Sequence, residues 1–190
     1  MNKKMVIFTI ALLMPLLNAC TLYYQKPIED VDLVEVSYDS VDTLLDQMSQ
    51  PIPKGSLIVV STLVNVNDLN QTSAFGRIVS DQIASAFNNS GYRIKGMEMP
   101  TANFVKVDGG FLHLTEETKQ TLKDNNVSAL VAGVFAAGTE SAYVSLRVID
   151  IASMNVISST DFSVPMGPDA RVLLKSSATG EAKPKLSGQE

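Results

Sequence analysis

Apolar residues follow three rhythms along this chain. Met5 to Leu17 is a continuous run, broken only by Thr9 and Pro15. From Ser40 the spacing turns helical. Val41, Leu44, Leu45 and Met48 recur every three or four residues, Ser40 is placed to cap the helix, and Pro51 and Pro53 end it. Leu57 to Val66 is β-branched and apolar on both faces, as a covered central strand requires. Thr72 or Ser73 caps a long helix to about Asn88, with Phe75, Ile78, Val79, Ile83, Ala86 and Phe87 in one stripe. Asn88-Asn89-Ser90-Gly91 stops that helix, and Tyr92 to Met99 reads as a strand. Phe104–Val107 and Phe111–Leu114 are expected to pair across Asp108-Gly109-Gly110. Thr115 caps a short helix from Glu116 to about Asn125, with its acids in the first turn, where the helix dipole favours them. Val127–Ala137 is a third main strand. Ala142–Ile151 alternates, with Val144, Leu146 and Val148 on one face and Tyr143, Ser145 and Arg147 on the other. Val156–Val164 closes an antiparallel meander.

This order predicts an α/β (mixed α+β) fold: a mixed sheet flanked by helices, mainly on one face, ending in an antiparallel meander. About 130 residues suffice for a core without disulfides or metal. Before the domain, Thr21 to about Val36 carries Pro27 and the acidic cluster Glu29-Asp30-Val31-Asp32, and is expected to be a solvated linker. After Pro165 the chain turns rich in Gly, Ser, Lys and Pro. Arg171–Lys175 is expected to dock locally and Ser176–Glu190 to be disordered.

The first apolar run has 13 residues behind Lys3 and Lys4, too short to span a hydrocarbon core of ~30 Å. It has the pattern of a secretory signal peptide. It ends in Leu17-Asn18-Ala19-Cys20, which resembles the bacterial lipobox. The resemblance implies cleavage before Cys20, a diacylglycerol on its sulfur and acylation (palmitate-type) of the new amino terminus. Two or more acyl chains anchor stably without a spanning helix. Thr21 follows the Cys where Asp would retain the protein at the inner membrane, so the resemblance implies the outer membrane, with either face open. The expected organisation is therefore a signal peptide over residues 1–19, a lipidated tether over 20–37, a folded domain over 38–165 and a largely disordered tail over 166–190.

Charge and rare residues exclude more than they suggest. The 190 residues carry 15 basic and 20 acidic side chains, a formal charge of −5. Removing residues 1–19 takes two Lys and no acid, so 13 bases against 20 acids leave −7. That balance argues against nucleic acid as a partner. One Cys and one His, with no Trp, exclude an internal disulfide and a multi-His or multi-Cys metal site. His113, the one histidine, has no partner in the spacing that would make it a general base. Glu116 and Glu117 point ~100° apart on a helix and do not share a proton site. Asn65, Asn67, Asp68 and Asn70 supply only one carboxylate for a cation. No cofactor and no catalytic residue are expected. Arg77, four residues before Asp81 on the long helix, and Arg147, in mid-strand, are the candidate partner-binding residues, because Arg is enriched at interface hot spots.

The middle of the chain resembles the FlgO family of flagellum-associated outer-membrane proteins. The resemblance is carried by Ser40-Val41-Asp42-Thr43-Leu44-Leu45-Asp46-Gln47. It continues through Leu57 to Asn65-Val66-Asn67-Asp68-Leu69-Asn70-Gln71-Thr72-Ser73-Ala74-Phe75-Gly76-Arg77, then Gln82-Ile83-Ala84-Ser85 and Gly91-Tyr92. The closing Ala132-Gly133 to Val144-Ser145-Leu146-Arg147 meander completes it. It covers residues 38–165 and implies a fold similar to the TolB N-terminal domain and CsgG-like domains. It also implies a non-enzymatic role in motility, with flagellar or other envelope proteins as partners and oligomerisation left open. The main alternative is an outer-membrane lipoprotein that binds and activates a peptidoglycan-synthesising enzyme. A tether of ~16–20 residues reaches only ~60 Å, short for that task. A secretion-pore subunit needs long amphipathic membrane strands, for which only Phe104–Leu114 is a candidate.

Overall fold

The computed structural model describes residues 27–95, 104–107 and 111–175. Its elements are α1 (Leu33–Asp46), β1 (Leu57–Val60), β2 (Val64–Asn65), α2 (Ala74–Asn89), β3 (Arg93–Lys95), β4 (Phe104–Val107), β5 (Phe111–Leu114), α3 (Glu116–Asp124), β6 (Ala129–Ala137), β7 (Ser141–Asp150), β8 (Val156–Pro165) and α4 (Pro168–Lys175). The main sheet runs β3-β1-β6-β7-β8, with β2 continuing beside β6. β3, β1 and β6 are parallel, whereas β6, β7 and β8 form the expected antiparallel meander. β4 and β5 pair separately, with Phe104 opposite Leu114 and Val107 opposite Phe111. The turn between them, 108–110, lies outside the described residues.

Three helices cover one face of the sheet. Val41 and Leu44 of α1, Phe75, Val79 and Ile83 of α2 and Ala170 of α4 share a core with Ile58, Val131, Val144, Leu146 and Val148. On the opposite face α3 buries Leu122 against Val59, Leu130 and Ile151. The mixed sheet flanked mainly on one face is thus observed as expected.

The sequence placed the start of α1 too late. Asp32, not Ser40, is the N-cap, its Oδ1 accepting from the N–H groups of Val34 (2.9 Å) and Glu35 (3.2 Å). Ser40 lies buried inside the helix and donates to Ser37 O at 2.7 Å. Ser37 in turn donates to Gln82 Oε1 on α2 at 2.8 Å. Short polar residues bonded within the protein disguised a buried helical face as linker. The tail expectation changes in part: Arg171–Lys175 docks locally as expected, but as the end of a helix, Pro168–Lys175, packed on α2 within what was assigned to a largely disordered tail. Pro168 suits the first helical position, where the missing N–H costs nothing.

The predicted strand Leu57–Val66 is broken at Ser61–Leu63, and the reason is the approach of α2. Gly76, in its first turn, has no room for a side chain. A Cβ there would stand 2.6 Å from both Leu63 O and Thr72 Oγ1, and 2.9 Å from the Phe135 ring. Ser80, one turn on, accepts from Leu63 N–H at 2.8 Å and returns its own hydroxyl to Gly76 O at 2.7 Å. The Leu63 N–H therefore bonds to a helix side chain instead of the ladder. Gly76→Leu should overpack this contact, costing ~1–3 kcal/mol and lowering the melting temperature by several degrees. An unchanged melting temperature would contradict the close-approach account.

Candidate functional site

The loop between β2 and α2 is built by its own polar residues. Asn65 Oδ1 accepts from Asn67 N–H at 2.9 Å, and Asp68 Oδ1 from Asn70 N–H at 3.0 Å. Asn65 N–H donates to Gln71 O at 2.8 Å, and Thr72 Oγ1 donates to Leu63 O at 2.6 Å. Of the residues weighed as cation ligands, Asn65 and Asp68 use their side-chain oxygens to close turns. Ser73 then caps α2 through Gly76 N–H at 3.2 Å, as the sequence indicated. Arg77 stands exposed on that first turn, and among the described residues it forms no salt bridge with Asp81.

Arg147 lies on the other side of the sheet. Its neighbours Leu146 and Val148 face the helices, so Arg147 points to the outer face, in register with Ala132 and Ser159. Tyr143, four residues away on the same face, is 59% exposed and packs over Gly138. The two candidate arginines thus belong to opposite faces, and the structure does not bring them together. Cys20 lies outside the described residues. The backbone of His113 lies opposite Val105 in the hairpin.

A cleft of about 710 Å³ opens at the end of the sheet where β7 finishes. Pro51, Pro53, Lys123, Asn126, Asp150 and Ala152 are among its lining residues. The carboxylate of Asp150 is committed to the next turn, accepting from Ser153 N–H at 2.7 Å and Ser153 Oγ at 2.6 Å. By local pattern alone, Pro51 and Pro53 only stop a helix. The fold sets them beside Asn126, which has a positive φ of 55° just beyond α3. Nothing in the local pattern joins segments so far apart. Among the described residues no group of three His, Cys, Asp or Glu gathers as a metal site, and no helix is long and apolar enough to cross a membrane.

The charged pair of α3 is local. Lys119 Nζ donates to Glu116 Oε1 at 2.6 Å, and this bond, followed by the lysine's charge, lowers the Glu116 pKa from its ordinary value.

Comparison with known proteins decides the family. The model of the FlgO protein family matches residues 38–169. The chain belongs to the FlgO family. Among solved structures, the LpoB C-terminal domain from Salmonella enterica has a TM-score of 0.51 at 11% identity, covering 70% of this chain and 98% of that one. Its Escherichia coli counterpart gives 0.49 at 13%, with the same two shares. The PelC dodecamer from Paraburkholderia phytofirmans gives 0.43 at 12%, covering 67% of this chain and 86% of that one. The first of these shows a shared fold. No curated protein matches.

Because the Glu116 pKa is lowered by folding, the pair stabilises the domain above the ordinary carboxylate pKa, and that contribution is lost as pH falls through the folded value. Lys119→Ala should raise the Glu116 pKa towards its ordinary value in a side-chain NMR titration. An unchanged titration would show that Lys119 does not set it.

Proposed function

We propose that this FlgO-family protein is a non-enzymatic lipoprotein of the outer membrane, anchored through lipid on Cys20, that serves as an accessory component of the flagellum needed for motility. The family match over residues 38–169 carries this reading. The signal-like segment over residues 1–19 and the lipobox-like Leu17–Cys20 support the anchor. Residues 1–19 are removed, Cys20 and the chain up to α1 form the tether, and the FlgO domain with α4 forms the body. Arg77 and Arg147 remain candidate contacts, each on its own face, and envelope proteins are the expected partners.

The second reading is a lipoprotein that docks on and activates a peptidoglycan-synthesising enzyme. The same anchor and fold suit it. Reach disfavours it, because α1 begins at Leu33, so only Thr21–Asp32 remains between the lipid and the first helix. Twelve residues extend at most ~40–43 Å.

Deleting the gene should reduce spreading in soft agar. Normal swimming with normal flagella would remove the motility role and favour the activator. Cys20→Ser should shift the protein from the membrane to the soluble fraction, and continued membrane association would refute lipid on Cys20 as the main attachment.

A further inference from the structure

Asp30, just before α1, is bonded to the other end of the domain's sequence. Its Oδ2 accepts from Asp169 N–H at 2.9 Å and its Oδ1 from Ala170 N–H at 3.1 Å. These are first-turn amides of α4, which have no partner within the helix. A carboxylate at that terminus also suits the helix dipole. Gly167 makes the approach sterically feasible, since a Cβ on it would stand 2.6 Å from Asp30 N.

The contact fixes where the tether leaves the body. Met166 N–H donates to Glu140 O at 2.7 Å, and Arg171 Nη2 donates to Thr139 O at 3.3 Å. Asp30, the start of α4 and the β6–β7 turn therefore share one end of the sheet. From there α1 runs to the opposite end, where Ser49 N–H donates to Ile157 O at 2.8 Å. The cleft beside Pro51 and Ala152 is at that second end. The ten residues of β7 separate the two ends by ~33 Å. Three exposed valines, Val31 (38%), Val34 (48%) and Val172 (67%), lie at the tether end. Cys20 precedes Asp30 by ten residues, a leash of at most ~33–36 Å.

We propose that Asp30 is a latch that gives the anchored domain a polarity: the end bearing α4 and the β6–β7 turn is held at the bilayer surface, and the cleft end points away from it. The polarity rests on the reading that Cys20 carries the lipid. The occupant of the tether end is the phospholipid surface itself, because the covalent leash joins the body there and Val31, Val34 and Val172 are exposed beside it. The cleft, on the far side, is left accessible to the compartment.

The test uses the full lipidated chain in phosphatidylethanolamine/phosphatidylglycerol vesicles containing a nitroxide-headgroup lipid. A fluorophore is placed on Thr139→Cys or, separately, on Ala152→Cys. The Thr139 site should be quenched at least threefold more than the Ala152 site. Equal quenching, or stronger quenching at Ala152, would overturn the polarity. Asp30→Ala and Gly167→Ala should each reduce the difference at least twofold. The double variant should do no more than either alone, since both act on one contact. If both variants retain circular dichroism and melting like the parent and keep its full asymmetry, the latch is refuted. Flotation of the Cys20→Ser chain with vesicles, or failure of the parent chain to float, would defeat the anchor reading instead. That result is read before any quenching.

Discussion

The fold depends on how closely α2 lies against the broken strand β1–β2. Gly76 admits the Leu63 carbonyl where any Cβ would collide, and Ser80 supplies the hydrogen bond that Leu63 N–H loses by leaving the ladder. A buried N–H left unpaired costs ~1–3 kcal/mol, so the serine is what makes the break tolerable. Once α2 is seated, Phe75 meets Phe135 edge-on with ring centroids 5.8 Å apart, and Val79 and Ile83 reach the centre of the sheet. The first turn of α2 that carries Arg77 and the docking surface for α1 both follow from that placement. A second close approach supports the meander: at Gly133 a Cβ would stand 2.6 Å from Leu146 Cδ2, so β6 stays bare where Leu146 crosses it.

Elements whose burial repeats regularly were legible in the sequence. The stripe of α2, except Ile78, which is exposed, the alternation of β7 and the Thr115 cap of α3 appear where the pattern put them, and of the two cap candidates for α2 the structure uses Ser73. Misplaced elements share a different cause: polar residues working inside the structure. Asp30 and Asp32 read as a charged linker, yet one latches α4 and the other caps α1. Ser37 and Ser40 interrupt the hydrophobic pattern while being buried and bonded. The break after Val60 was invisible because Ser61-Thr62-Leu63 still looks like strand; only the partner helix reveals it.

The site was less legible than the fold. Arg77 and Arg147 were singled out by residue type, and the sheet separates them onto opposite faces. The cleft joins the loop after α1, the end of α3 and the β7–β8 turn, three segments that no local pattern relates. Asp68 and Glu116, weighed for chemistry, and Asp150 of the cleft each close a turn or pair within a helix.

The central claim is that this body hangs from lipid on Cys20, and the mass of the mature protein tests it most directly. Intact-protein and N-terminal-peptide mass spectrometry of the membrane fraction should find a chain that begins at Cys20 and carries a diacylglyceryl group with an N-linked acyl chain. A mature chain with an unmodified Cys20, or one that begins at any other residue, would contradict the account.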